Sequence, residues 1–179
     1  MKSLFFSALL ALGCVSPALA ADRPDLDLFR DVSRQVSNYA YFTIFDSVHA
    51  GVRDGVVTLT GKVTLPFKAT DIEKRAAKVA GVTAVRNHIG VLPVSQFDNT
   101  LRLGIARALY AHPALAMYAL GPYPSIHVIV EHGRVTLDGV VNNDSDRAIA
   151  NMVARSFGSF GVTNDLRTSE EMRKELERL

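Results

Sequence analysis

The chain has 179 residues, with 20 basic and 18 acidic side chains and a single cysteine. This nearly balanced charge argues against a nucleic-acid-binding protein, whose surface is usually strongly basic. The cysteine, Cys14, falls in a leading segment that we expect to be removed, so a disulfide scaffold and a thiol nucleophile are both excluded for the mature chain.

Residues 1–20 have the pattern of a secretion signal. An apolar run at 4–12 follows a lysine and is too short to cross a bilayer, which takes about 20 apolar residues. Small residues at 18 and 20 suit a signal peptidase, and we therefore expect cleavage before Ala21. The alternative is lipidation of Cys14, which would tether the protein to a membrane instead of releasing it.

Two stretches of the chain repeat one another. Residues 47–61 read SVHAGVRDGVVTLTG, and residues 125–139 read SIHVIVEHGRVTLDG. In both stretches apolar residues alternate with polar ones, which is the pattern of half-buried strands. Asp54-Gly55 and His132-Gly133 lie where a type I′ turn is expected, because both central residues of such a turn have positive φ. Each stretch therefore predicts a β-hairpin.

Helices are predicted before and after each hairpin, and a further strand closes each repeat. The helix after the first hairpin is expected to begin at Thr70, since Thr70-Asp71-Ile72-Glu73 has the form of a capping box. Its counterpart in the second repeat is expected to begin at Asn143. Beyond the last strand, Ser169 is expected to cap a short final helix.

The repeated order of helix, strand, strand, helix and strand predicts an α+β fold. We expect two tandem αββαβ modules, each with a three-stranded sheet and two helices on one face. Gly61 and Gly139 should allow a helix to come close to the sheet, or relieve a bend. The predicted divisions are a signal peptide at 1–20, a first module at 25–94, a second module at 97–167 and a C-terminal helical tail at 168–179.

The same residues resemble a known family. The phrase GxVTLxGxV at 55–63 and 133–141, the phrase GVxxVxN at 81–87 and the αββαβ order are similar to the BON domain, named for bacterial osmotic-shock and nodulation proteins. The resemblance covers two tandem copies behind a secretion signal. It implies a periplasmic, non-catalytic protein associated with osmotic stress, envelope integrity and phospholipid surfaces. It implies no site residues, because the matching positions are structural.

His49 and His127 occupy equivalent positions and invite a chemical interpretation. A metal site needs three or four converging ligands, and no ligand motif accompanies either histidine, so we predict no metal and no cofactor. Ser47 shares a face with His49 but lacks a third group to orient the pair. An enzyme would be indicated by a deep polar pocket between the modules in which one of these histidines meets an acid. We predict no catalytic residue and no small-molecule substrate, and we interpret the histidines as half-exposed residues retained from duplication.

A cluster of basic residues in and before the second helix of the first module suits contact with anionic headgroups. The alternative interpretation is a solvated helix face in which Asp71 and Glu73 compensate the positive charge. The members of the cluster are Lys68, Lys74, Arg75 and Lys78.

Aromatic residues before each hairpin are the second group suited to a membrane interface. Their alternative role is to close the cores of two small domains. The candidates for surface contact are Tyr41, Phe42, Tyr118 and Tyr123. The sequence thus predicts an envelope-maintenance or stress protein that binds phospholipid surfaces. The alternative is a protein-interaction module in an envelope or secretion complex.

Overall fold

The computed structural model describes residues 24–120 and 124–177. The predicted signal at 1–20, with Cys14, and the candidate Tyr123 lie outside the described residues. Among the described residues there are five α-helices, one 3₁₀ turn and six strands, in the following order: α1 (Asp25–Ser37), β1 (Ser47–Arg53), β2 (Val56–Val63), α2 (Pro66–Ala77), β3 (Ala84–Val91), α3 (Gln96–Ala111), a 3₁₀ turn (Ala116–Ala119), β4 (Ile126–Glu131), β5 (Arg134–Val141), α4 (Asp144–Arg155), β6 (Gly161–Thr168) and α5 (Ser169–Leu176).

Each module contains its own three-stranded sheet, in the orders β1-β2-β3 and β4-β5-β6. The central strand pairs antiparallel with the strand before it and parallel with the strand after it. In the first module, Val32 of α1 and Ile72 of α2 pack with Leu59 of β2 in one core. The second module repeats this packing with Ile105 of α3 and Leu137 of β5. The predicted α+β fold of two tandem αββαβ modules is confirmed.

Both hairpins turn through residues with positive φ. Asp54 and Gly55 have φ of 52° and 73°, and His132 and Gly133 have φ of 52° and 74°. Two successive positive values are the signature of a type I′ turn, whose twist matches that of the flanking strands. The hairpins predicted from sequence are confirmed.

Each hairpin turn is held by an aspartate from the helix that opens its module. The carboxylate of Asp25 accepts from the backbone N–H groups of both turn residues at 2.9 and 3.2 Å. Asp98 accepts from the equivalent pair in the second module at 3.0 and 2.7 Å. Asp25 and Asp98 lie outside the repeated stretches of the sequence, yet they make equivalent hydrogen bonds in the two modules.

Gly61 and Gly139 are required by a contact within the sheet, and not by the close helix that was one of the two reasons expected. A Cβ on Gly61 would lie 2.1 Å from the carbonyl oxygen of Ser47, and one on Gly139 would lie 2.0 Å from that of Ser125. Their φ values of 121° and 124° belong to a region that side chains rarely adopt. The close approach is therefore by the backbone of the adjacent strand, and the expectation of a helix there was wrong.

The predicted start of α2 was also wrong. The helix begins at Pro66, with Leu65 as its N-cap, and Thr70 lies inside it. Proline is favoured in the first turn because its fixed φ suits a helix and its missing N–H would have no partner there. The prediction for α4 is confirmed, since the side chain of Asn143 accepts from the N–H of Asp146 at 2.9 Å.

The final helix α5 is capped one residue earlier than expected. Thr168, and not Ser169, accepts from the N–H of Glu171, and the Glu171 side chain accepts in return from the Thr168 N–H. The reciprocal bonds satisfy two N–H groups of the helix end.

The segment 42–46, which we call the bridging segment, links the two modules. The N–H of Val128 in β4 donates to the carbonyl of Ile44 at 2.7 Å. Ile44 and Phe45 also pack against the core of the second module. Residues from the first module therefore cover part of the edge of the second sheet.

Candidate functional site

A cleft of about 1320 Å³ lies between the modules, and Ser47, His49 and Asp138 meet within it. We call these three residues the Asp138 cluster. His49 Nε2 lies 2.9 Å from Asp138 Oδ2, and Ser47 Oγ lies 3.2 Å from the same nitrogen. The Ser47 hydroxyl also donates a hydrogen bond to Asp138 Oδ2. A histidine therefore does meet an acid between the modules, which is the arrangement that would point to an enzyme.

Protonation of the cluster follows from its contacts. The hydrogen bond to Asp138 raises the pKa of His49 from its usual value, against the opposing effect of burial. Burial opposes ionisation of Asp138, but the hydrogen bonds from His49 and Ser47 outweigh it and lower the pKa of Asp138 to about 2. The contacts therefore favour the carboxylate form of Asp138 and shift His49 toward its protonated form.

The geometry of the Asp138 cluster differs from that of a catalytic triad. A triad histidine uses one ring nitrogen for the serine and the other for the acid. Here Nε2 of His49 contacts both, and Ser47 gives its hydrogen bond to Asp138 directly. A carboxylate with a pKa of about 2 is a weak base, and Ser47 is buried. The arrangement suits a contact between modules better than an activated nucleophile.

Asp138 is the residue of this site that sequence reasoning missed. It pairs across strands with His127 in the second sheet, whereas the equivalent pair in the first sheet is His49 with Thr60. The sequence carries one sign of this difference, because the first repeat has Thr60 where the second has Asp138.

The pKa of His127 is shifted in the opposite direction from that of His49. Its ring is largely buried, with its centroid 5.5 Å from that of Phe42 in the bridging segment, and its buried Nδ1 has no hydrogen-bond partner among the described residues. Burial lowers the pKa of His127, although the nearby Asp138 and the backbone of Thr43 and Asp46 partly oppose this. The two repeated histidines have therefore acquired different protonation behaviour.

Lys68 does not belong to a surface cluster. Its side chain is buried, and Nζ donates to Asp46 Oδ2 at 2.7 Å and to Thr64 Oγ1 at 2.8 Å. Asp46 also accepts from the backbone N–H groups of Thr43 and Thr64. Burial disfavours the carboxylate, but the bonds from Lys68 and the two threonines lower the pKa of Asp46 overall. The predicted surface lysine instead fixes the end of the bridging segment.

Two aromatic candidates for surface contact are also internal. Tyr118 is 6% exposed, and its hydroxyl donates to Asp146 and accepts from the backbone N–H of Asn142. Phe42 is half-buried against the core of the first module and the ring of His127. Of the aromatic candidates that the structure describes, Tyr41, which is 61% exposed, is the one that presents its ring to solvent as expected.

Tyr41 lies on a surface that combines aromatic and basic side chains. Its ring contacts that of Phe67 edge-to-face, with centroids 5.7 Å apart, and Phe67 is 45% exposed. Lys74 and Lys78 follow Phe67 at helical spacings of seven and eleven residues, which places all three on one face of α2. Together with the exposed Leu65, these residues form what we call the aromatic–basic surface.

The acids that sequence analysis offered as partners for this charge are engaged elsewhere. Asp71 accepts from the Tyr39 hydroxyl at 2.7 Å, and Glu73 accepts from Asn87 Nδ2 at 2.9 Å. The guanidinium of Arg75 lies over the Tyr39 ring, 4.9 Å from its centroid. Among the described residues no ion pair engages Lys74 or Lys78, which are both exposed.

Residues 24–120 and 124–177 contain neither a candidate metal site nor a candidate membrane span. This part of the chain contains no group of three histidine, cysteine, aspartate or glutamate side chains that could hold a metal ion. It also contains no helix with the length and apolar character needed to cross a membrane.

Two small α+β modules of the same topology, joined by a bridging segment and the Asp138 cluster, define a tandem-domain protein. The family model for the BON domain matches residues 27–93 and again residues 98–169. The chain therefore belongs to the BON domain family, with two copies, and the resemblance found in its repeats is confirmed.

Comparisons beyond the family are weak. No curated protein matches the chain. A structure of CdsD, a structural protein of the type III secretion system of Chlamydia trachomatis, is 14% identical, with 84% of this chain and 97% of that chain covered and a TM-score of 0.28. A structure of the CdsD C-terminal domain is 12% identical, covers 80% of this chain and 98% of that chain, and also has a TM-score of 0.28. At these TM-scores the likeness carries no argument for this chain.

Proposed function

We propose that the protein is a non-catalytic envelope-maintenance or stress protein that binds anionic phospholipid through its aromatic–basic surface. The observation that carries the proposal is the convergence of Tyr41 and Phe67 with Lys74 and Lys78 on one side of the first module. Aromatic rings favour the headgroup level of a bilayer, and each lysine near an anionic surface contributes about 1 kcal/mol. Membership of the BON domain family supports the same class of function.

The four side chains that carry the proposal are all exposed to solvent. Lys74 and Lys78 carry no ion pair among the described residues, and Tyr41 and Phe67 remain exposed although a core lies close by. An exposed aromatic pair beside uncompensated positive charge is unfavourable for an isolated domain but favourable at an interface. The geometry therefore supports a surface that is completed by a partner.

Co-sedimentation with liposomes tests this function. Vesicles of phosphatidylglycerol and phosphatidylethanolamine should bind the protein, and binding should weaken as salt is raised because the charge attraction is screened. Lys74→Glu with Lys78→Glu should reduce the partition coefficient by at least about 30-fold, the equivalent of roughly 2 kcal/mol. Phe67→Ser should weaken binding with little change in its salt dependence.

The matched control reverses two exposed charges on the second module, Arg107→Glu with Arg155→Glu. It changes the net charge by the same amount, so it should leave vesicle binding close to that of the unchanged protein. Equal losses for both double variants would show a general charge effect and contradict the assignment to α2. Binding that is absent, or indifferent to lipid charge and to salt, would exclude the phospholipid proposal.

We also propose that the protein acts in the periplasm after cleavage of residues 1–20. The support is the pattern of the leading segment together with the association of the BON domain with the cell envelope. The intact mass of the protein from its native host distinguishes a start at Ala21 from a lipidated Cys14. A mass that includes the leading segment would contradict both processing routes.

A further inference from the structure

Strand β1 forms the edge of the first sheet and borders the cleft between the modules along its whole length. All seven of its residues, Ser47–Arg53, line the cleft. On its other side β1 pairs with β2, and within the described part of the chain no other backbone segment bonds to Val48–Arg53. An edge of this kind presents a row of unpaired N–H and C=O groups.

The direction of these groups follows from the strand geometry. The carbonyl of Ser47 points at Gly61 in β2, so the backbone of Ser47 faces inward. Successive residues of an antiparallel strand alternate between the two edges. Val48, Ala50 and Val52 therefore direct their N–H and C=O groups away from β2 and into the cleft.

The second module shows what such an edge binds in this protein. Ala50 is equivalent to Val128, 78 residues later, and the N–H of Val128 donates to the carbonyl of Ile44 in the bridging segment. Apolar side chains of that segment pack against the core beside the edge. The edge of β4 is thus partly covered by a turn of the bridging segment, which bonds to it through one carbonyl. The equivalent edge of β1 receives no such cover from the described residues.

We propose that the edge of β1 binds an extended peptide segment of a partner protein by strand addition. Main-chain bonds to Ala50 and its neighbours would supply the affinity, and pockets on either side would select alternate side chains. Leu26 and Phe29 of α1 give the cleft an apolar wall, and Asp165 and Arg167 of β6 give it a charged one. The chemistry therefore fits a segment that carries both apolar and polar side chains.

The occupant is a peptide and not a lipid chain or a small ligand. An acyl chain has no groups to pair with backbone N–H and C=O, and burying them unpaired is costly. The volume of about 1320 Å³ exceeds the roughly 300–1,000 Å³ of small-molecule pockets. This site is separate from the aromatic–basic surface, so either assignment can fail without the other.

The test uses the processed protein, labelled with ¹⁵N, and a synthetic peptide of residues 41–46, YFTIFD, with blocked ends. This segment is the probe because the carbonyl of its Ile44 already accepts a bond from the equivalent edge in the second module. Amide shifts should concentrate at Val48, Ala50 and Val52, with a Kd on the order of 0.1–1 mM. The same peptide with N-methylated backbone nitrogens keeps its side chains and should bind at least about 10-fold more weakly.

Two variants at position 50 then test whether the N–H of Ala50 donates to the peptide. Ala50→Pro removes the outward N–H without breaking the ladder to β2, and it should weaken peptide binding about 10-fold. Ala50→Ser keeps the N–H and should bind as the unchanged protein does. If Ala50→Pro does not fold, the comparison of normal and N-methylated peptides on the unchanged protein still decides the question.

Several outcomes would overturn the proposal. These are no shift up to about 5 mM peptide, shifts confined to β4, or equal affinity for the methylated peptide. Concentration-dependent shifts at β1 without peptide, with a doubled mass in solution, would show that a second copy occupies the edge instead.

Discussion

At the scale of single residues, a direct bond to Asp138 and unequal burial separate two equivalent histidines. Asp138 stands where the first module has Thr60, and it pairs with His49 across the module boundary. Its carboxylate raises the pKa of His49, while burial lowers the pKa of His127. Residues that are equivalent in sequence have therefore become unlike in chemistry.

We expect Asp138→Asn to lower the pKa of both histidines, because its charge favours the imidazolium at each position. The larger change belongs to His49, which loses a direct ion pair. Titration of the ring protons by NMR measures both values. Asp165→Asn, which removes a weaker and more distant influence on His49, is the control and should produce a smaller fall. An unchanged pKa of His49 in Asp138→Asn would contradict the ion pair.

Gly61→Ala should destabilise the protein by more than about 2 kcal/mol, because φ of 121° is unfavourable for any side chain and the new Cβ would lie 2.1 Å from the Ser47 carbonyl. Urea denaturation measures the change in the free energy of unfolding. Gly51→Ala is the matched control in the same sheet, since a Cβ there meets no atom within 4 Å. Equal effects of the two substitutions would refute this account of Gly61.

At the scale of secondary-structure elements, each module joins its opening helix to the tip of its hairpin. Asp25 and Asp98 do this with the same pair of backbone bonds, but Asp98 is 1% exposed and Asp25 is half-buried. When a buried acceptor is removed, water cannot reach its donors to replace the lost hydrogen bonds. Removal of Asp98 should therefore destabilise the protein more than removal of Asp25.

We therefore expect Asp98→Ala to lower the free energy of unfolding by about 3 kcal/mol and Asp25→Ala by about 1 kcal/mol. The equivalent bonds make each variant the control for the other, and burial is the main difference between them. Chemical denaturation of both variants measures the order. A larger loss for Asp25→Ala would contradict the role assigned to burial.

The elements also show which features a sequence can predict. The hairpins were predictable because Asp54-Gly55 and the alternation around it act locally. The start of α2 was not, because Pro66 and the capping-box pattern at Thr70 compete and both are locally reasonable. Asp138 was missed and Lys68 was wrongly placed at the surface, because their roles depend on partners distant in the chain, His49 and Asp46. No periodicity reveals such contacts.

At the scale of the whole molecule, charged contacts cross the interface between the modules. Lys62 Nζ lies 2.9 Å from Glu131 Oε1, in addition to the ion pair of His49 with Asp138. Because Lys62 and His49 are both substantially exposed, each pair alone contributes little stability. Their effect is to fix how the two sheets meet.

The two histidines should give opposite dependences of stability on pH. His49, faced by Asp138, Asp165 and Arg167, has a raised pKa, so its contribution is full below about 6.5 and is lost as pH rises through the folded value. His127, faced by Asp138 and Asp46, has a lowered pKa, so stability is lost as pH falls below about 6.5. These contributions partly cancel in the unchanged protein.

Single substitutions should separate them. Between pH 5 and 8, His49→Gln should make stability rise more steeply with pH, and His127→Gln should make it fall more steeply. Thermal or urea unfolding at several pH values measures both slopes, and each variant serves as the control for the other. Parallel profiles in the two variants would show that neither histidine titrates as the contacts require.

The bond between Ile44 and Val128 has a consequence for dividing the chain. A cut at residues 92–95 respects the order of the sequence but not the arrangement in space. A cut there would remove from the second module the segment that covers part of its sheet. It would also leave Ile44 and Phe45 of the first module uncovered. We therefore expect either half alone to expose apolar surface that the two halves cover together.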